Sequence, residues 1–339
     1  MVKHIVFDAR NSEPDQAISV VKVNGKQQRV SPVFRTYWKF AAERHAVFTR
    51  RLDGAPPSTT DPIIQQFKFT NAFRVLDRTS QYLVRDVIQQ GDQSTEELFF
   101  RILIFKLFNK IDTWELLLRH LGEIQLKTFR FELFDRVLTD ALARGQRIYS
   151  AAYIMPSGGS NGETRKHRSH LRLLEQMLSA NVPSKLSHLK TMKEGFTLLR
   201  SFPMIGDFLA YQFITDVNYS SITNFTEMEF VVAGPGALDG LKKCFPDMTV
   251  GDASSLIQFV CEEQDKFQAH YGVDPVRVCG RPLQLIDCQN LFCETDKYAR
   301  IAHPDIKGYS GRTRIKQAYR TKGSLSTPVF PDKWQVNVC

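Results

Sequence analysis

The densest run of chemical groups in this 339-residue chain lies between Asp287 and Arg300. On a helix, three- and four-residue spacing puts Asn290, Glu294 and Lys297 or Tyr298 on one face. An amide, a carboxylate and a cation converging there, with Asp287 and Arg300 at the ends, suit reading a base edge or holding an activated substituent. The alternative is a helix braced by salt bridges between its turns. Glu163, His167 and His170 share another helical face, but no further strong ligand set accompanies them, so no metal is expected. Their neighbours Arg165, Lys166 and Arg168 suggest phosphate contact instead. A second basic stretch, Gly311 to Arg320, carries Arg312, Arg314, Lys316 and Arg320 beside Tyr319. It suits a strand or helix lying on a sugar-phosphate backbone, or else a solubilising tail.

Residues 198–210, Leu-Leu-Arg-Ser-Phe-Pro-Met-Ile-Gly-Asp-Phe-Leu-Ala, resemble a helix-hairpin-helix. The resemblance assigns Pro203, Ile205 and Gly206 to a hairpin whose backbone N–H groups, with the next helix N-terminus, hold a DNA phosphate. Met204 stands where the first hairpin glycine is usual, and Ala210 is the small residue expected where the helices touch. The alternative is an ordinary corner between two core helices. In DNA glycosylases with this hairpin, a catalytic acid follows the last glycine by about twenty positions, a window holding Glu227 and Glu229; Asp216 is a nearer candidate. Phe208 occupies the place of the Schiff-base lysine of bifunctional members, so lyase chemistry is not expected.

Wider stretches extend the likeness. They are Tyr37 to Arg44, Lys68 to Asp77, Phe108 to Trp114, Phe202 to Ser220, Phe230 to Ala237 and Asp287 to Arg300. Together, over residues 31 to 335, they resemble the helical domain associated with 5-hydroxymethyldeoxyuridine DNA kinases. That family, also called alpha-glutamyl/putrescinyl thymine pyrophosphorylase-like, is similar in fold to the helix-hairpin-helix DNA glycosylases. The resemblance implies work on hypermodified thymine-type bases in DNA. Glycosidic cleavage of a flipped base is the first expectation, a base-modifying transfer the second and a non-catalytic DNA-binding module the third. The nearest approach to a phosphate-binding loop, Gly158 to Thr164, lacks the lysine, so no kinase chemistry is expected.

The elements that must position these groups read as overwhelmingly helical. The expected architecture is mainly α, a two-lobed helix-hairpin-helix glycosylase-like fold at 31–335. A 1–30 extension with a β-hairpin turning at Asn24-Gly25 precedes it, and a 336–339 tail follows. Ser31-Pro32 reads as a cap followed by the first helical residue, with the helix stopping near Gly54. Ser94 to Glu97 reads as a capping box, Asp112 as a cap and Gly122 as a stop. Gly234-Pro235-Gly236 reads as a turn before a helix at 238–244, and Pro56-Pro57 and 156–162 read as loops.

Composition sets the bounds. Hydrophobic residues make up 42%, enough for a core, and Lys plus Arg exceed Asp plus Glu by 45 to 36, favouring a polyanionic partner. The most apolar run, Phe99 to Phe108, is broken by Arg101 and Lys106, so no membrane span is expected, and charges in Met1 to Arg10 argue against a signal peptide. The expected location is intracellular, in cytoplasm, nucleoid or nucleus. All six cysteines lie at or after Cys244. They are expected as reduced thiols, and their spacing does not match an iron–sulfur cluster, so no cofactor is expected.

Overall fold

Asn24 and Gly25 both lie in the left-handed region, at φ 48° and 82°. That is what a two-residue turn needs to match the twist of its strands. Strands Val20–Val23 and Lys26–Arg29 pair antiparallel across it, Val23 opposite Lys26. The computed structural model describes residues 18–54, 58–151, 155–156, 163–320, 323 and 325–336. The expected loop at 56–57, that at 156–162 apart from Pro156, and the N-terminal ten residues lie outside these. The chain is mainly helical and divides into two compact units, one from 18–77 and 227–328, the other from 78–226 and 329–336. Among the described residues no helix is long and apolar enough to cross a membrane.

In the first unit, Ser31 caps helix Pro32–Leu52 by accepting from the Val33 N–H at 3.1 Å, with Pro32 in the first turn, as the sequence predicts. Its buried face, including Phe34, Tyr37 and Trp38, meets Phe245, Phe267 and Phe292 in one aromatic cluster. Helix Leu285–Ala302 runs against helix Pro235–Cys244. The expected turn at 234–236 is corrected: the helix begins at Pro235, and Gly236 belongs to it. A Cβ on Gly236 would stand 2.3 Å from Cys293 Sγ, and one on Gly240 only 1.9 Å from the Phe292 carbonyl oxygen. Two glycines four residues apart thus let one backbone touch the other. Lys243 and Asp296 close the same crossing with a 2.9 Å ion pair, each side chain 2% exposed.

In the second unit, helix Thr95–Phe108 is buried on all sides from Glu97 onward. The expected capping box does not form. The Ser94 side chain caps nothing, its N–H donates to Asp92, and Glu97 accepts instead from the Leu126 N–H at 2.8 Å. Asp112 is likewise not the cap: Lys110 holds that position and Asp112 sits in the first turn. Gly122 ends that helix at φ 71°, as expected. Cys244, Cys261, Cys288 and Cys293 are free thiols, but Cys279 is in a disulfide, which corrects the expectation of six reduced thiols.

Because the Phe292 carbonyl cannot move without its helix, Gly240→Ala is expected to destabilise the first unit by about 2–3 kcal/mol. Gly206→Ala, whose Cβ meets nothing within 4 Å, should be close to neutral. Equal unfolding midpoints for the two variants in urea would disprove the close-contact reading.

Candidate nucleic-acid interface and carboxylate cluster

The hairpin begins with helix Met192–Arg200, opened by a true capping box: Thr191 Oγ1 accepts from the Glu194 N–H, and Glu194 accepts from the Thr191 N–H at 2.9 Å. The turn closes through the Ile205 N–H to the Phe202 carbonyl at 3.3 Å. Gly206 then caps helix Asp207–Val217. Met204 takes φ 64°, the left-handed conformation normally given to glycine, at a cost of about 1 kcal/mol. Gly206 itself sits at φ −81°, open to any residue. The two helices meet at Gly195, where a Cβ would stand 2.6 Å from Ile214 Cδ1, and at fully buried Ala210. Sequence reading found Ala210 and missed Gly195.

Pro203 and Gly206 are exposed, while Ile205 is 2% exposed and anchors the turn in the core. Only the backbone of Ile205 can therefore face a phosphate. Residues Arg200 to Gly206 line a shallow concavity of about 580 Å³. A helix N-terminus presents amides without intrahelical acceptors and the positive end of the dipole. Exposed Asp207 stands in this first turn, 2.6 Å from Arg200 Nε, and its charge competes with any incoming anion.

The basic helix Lys166–Ser179 offers less than its sequence suggests. Arg168 bonds Asp135 and Glu163 and lies over the Phe131 ring. Lys166 sits 4.5 Å from the Tyr149 ring centre, and only Arg165 is exposed, bonded to Thr139. His167 contacts Asp135 at 2.8 Å; His170 lies between the Tyr149 hydroxyl and the Pro156 carbonyl, its pKa pushed down to about 4 by burial. Among the described residues no cluster of metal ligands occurs.

Of the acidic candidates, Asp216 is closed off: it is fully buried and lies 3.1 Å from Lys106 Nζ. The structure does not offer it to a substrate. Glu229 is exposed, in a loop held by Gln258 bonding its carbonyl. Glu227 is 8% exposed and paired with Arg281 at 3.0 Å. Asp287 is 5% exposed and accepts from the N–H groups of Gln284 and, 213 residues away, Arg74, at 3.0 and 2.7 Å. Burial, aided by the charge of Glu227, raises its pKa to about 7.

The rest of helix Leu285–Ala302 divides between the two readings of its sequence. Glu294 accepts from the Thr70 N–H and from Lys297, which also bonds the Lys68 carbonyl. The Tyr298 hydroxyl donates to Asp61, and Arg300 bonds Asp296 and the Arg314 carbonyl. These four side chains brace the fold. Asn290 is half-buried, and its amide has no hydrogen-bond partner among the described residues. The 70–77 segment, bonded to Asp287 and Glu294 of this helix, supplies groups that sequence reading did not single out. The Asn71 N–H donates to Asp77 at 2.8 Å, Arg44 donates to Asn71 Oδ1 at 2.6 Å, and Arg74 is almost wholly buried. Burial raises the Asp77 pKa to about 6, and lowers that of Arg44. The available signal was polar residues recurring in an otherwise apolar run, Phe69 to Leu76.

The second basic stretch is extended and not helical. Its Gln317 and Tyr319 bond Lys68 and Gln66 through the backbone. Arg312 is paired with Asp239 at 2.8 Å, while Arg314, Lys316 and Arg320 are exposed.

A family model described as the 5-hmdU DNA kinase helical domain matches residues 31–308. The chain belongs to this family. It is also 22% identical over 285 residues to the 5-hmdU DNA kinase of Bacillus phage SP10, covering 77% of this chain and 44% of that protein. The chain therefore spans less than half the length of that relative. No solved structure matches.

The raised pKa of Asp287 links stability to pH. With a folded value near 7 against an ordinary 3.8, the folded state holds the proton longer. Its contribution is complete below about pH 4 and lost as pH rises through about 7. The thermal midpoint of the Asp287→Asn variant should fall less than that of the wild type between pH 4 and 7.5, since an amide keeps an acceptor without titrating. Parallel pH profiles would rule this linkage out.

Proposed function

We propose that the chain is a DNA-binding enzyme acting on 5-hydroxymethyluracil-derived bases, with the helix-hairpin-helix as its phosphate anchor. The observation that supports it most is the hairpin. Met204 holds the glycine-like left-handed turn, and exposed Gly206 opens a helix N-terminus, in a chain whose family is named for 5-hmdU DNA kinases. Base excision is the reaction we assign first. Glu229 is accessible and Glu227 lies beside Asp287, so a carboxylate is available to stabilise positive charge on a sugar as its base departs. Phe208 in place of a lysine leaves hydrolysis without a Schiff base. Group transfer to the base substituent is the second reading, favoured by the kinase activity named for the phage relative. The chain carries no Gly-x4-Gly-Lys-Ser/Thr segment of its own for phosphoryl transfer.

Two binding variants test the anchor. Gly206→Glu places a negative charge in open space at the phosphate position, so it should abolish duplex binding and leave the helical circular dichroism intact. Asp207→Asn removes the competing charge and should tighten binding about two- to fivefold at low salt. Unchanged affinity in both folded variants would make the hairpin a corner of the core and nothing more.

Chemistry is tested by mass spectrometry of duplexes carrying 5-hydroxymethyluracil, its phosphorylated derivative or thymine. Excision yields free base and an intact abasic strand, and Glu229→Gln or Glu227→Gln should slow it about 100-fold. A heavier nucleoside formed with an added amine would establish transfer instead. Binding without any product would reduce the protein to a DNA-binding module.

A further inference from the structure

Residues 311–320 have no regular helix or paired strand beyond a single bridge at Ala318, yet they are held in place along their length. At the start, Asp239 accepts from the Ser310 N–H and Arg312, both at 2.8 Å. In the middle, Arg300 donates to the Arg314 carbonyl at 2.8 Å. At the end, the Lys68 N–H bonds the Gln317 carbonyl at 3.0 Å and the Tyr319 N–H bonds the Gln66 carbonyl at 2.9 Å. Successive side chains of an extended chain point to opposite sides. Ile315 and Tyr319 are half-buried, whereas Arg314, Lys316 and Arg320 are exposed. None of these three cations has a side-chain partner among the described residues.

We propose that Arg314, Lys316 and Arg320 form a track for the phosphodiester backbone of one nucleic-acid strand. Alternate residues of an extended chain stand about 6.7 Å apart, comparable to one nucleotide of an extended strand. Because the strip is already fixed by its backbone bonds, binding need not order it. Arg312 is excluded from the track by its pairing with Asp239. Tyr319 is half-buried with Arg51 6.0 Å from its ring centre, so the exposed contacts of the strip are cationic, made to the backbone and indifferent to sequence. This track does not depend on the hairpin.

The test is fluorescence anisotropy over a salt series, with single-stranded oligothymidylate and with a mixed-sequence duplex. The variant carries Arg314→Ser, Lys316→Ser and Arg320→Ser, with folding checked by thermal melting. Its affinity should fall about tenfold or more at low salt, and the slope of log affinity against log salt should become shallower by about 2, from three phosphates at ~0.7 each. Loss on either DNA supports the track, and the two arms tell a free strand from one within a duplex. With oligothymidylate, the triple variant should change the slope by the same amount when made in the Gly206→Glu background, which separates failure of the hairpin from failure of the track. A charge-matched variant at exposed Lys22, Lys127 and Lys266 serves as control. An unchanged slope in the folded triple variant, or an equal change in the control, overturns the proposal. So does a loss confined to binding of anionic phospholipid vesicles.

Discussion

The contact between Gly240 and the Phe292 carbonyl is the constraint on which the first unit depends. It sets how deeply helix Leu285–Ala302 lies against helix Pro235–Cys244, and so where every side chain of that helix falls. Asp287 reaches the Arg74 N–H, Glu294 the Thr70 N–H, and Arg300 the carbonyl of Arg314. Each is a directional bond that fails when displaced by an ångström or so. The buried Lys243–Asp296 pair adds a second fixed point at the same crossing. Such a pair contributes little net stability but penalises any arrangement that separates its charges in a dry interior.

The hairpin of the second unit rests on a different device. Its backbone is held in shape without the usual glycine, because Met204 accepts the left-handed conformation while Ile205 is driven into the core. The burial of one isoleucine, on the order of 1.5–3 kcal/mol, exceeds the strain of one left-handed residue. The close approach of the two helices comes from Gly195, which admits Ile214 and Phe225 to within ordinary side-chain reach. The result leaves Pro203 and Gly206 exposed, beside the charge of Asp207 and its partner Arg200.

Charge counting alone overstates the cationic surface. Arg168 and Arg312 are engaged by carboxylates, Lys166 by an aromatic face, and Lys297 and Arg300 by the loop and strip they support. Carboxylates divide in the same way. Asp216, Glu294 and Asp296 are structural partners of cations, whereas Asp287 is a buried acid whose partners are backbone amides and whose proton is held to near neutrality. Two amide dipoles offset only part of the loss of hydration, which is why its pKa rises despite them.

The sequence by itself determined whatever depends on neighbours a few residues apart. The Asn24-Gly25 turn, the Ser31-Pro32 helix start, the Gly122 stop and the helical class all follow from local backbone preference and periodicity. The family and the turn between helices at 201–206 were legible too, their signals being short strings of residue type. Where a local rule competed with a distant partner, the partner won: Glu97 left the Ser94 cap for the Leu126 N–H. Asp287 was legible as a residue, but its bond to the Arg74 N–H and the Arg44–Asn71–Asp77 group were not, for the same reason. The first joins residues 213 apart, and residue type reveals neither such pairings nor the burial that sets the charge state of Asp77 and Asp287. Tertiary structure decided those, because desolvation and hydrogen-bond geometry are properties of packed neighbours and not of order along the chain.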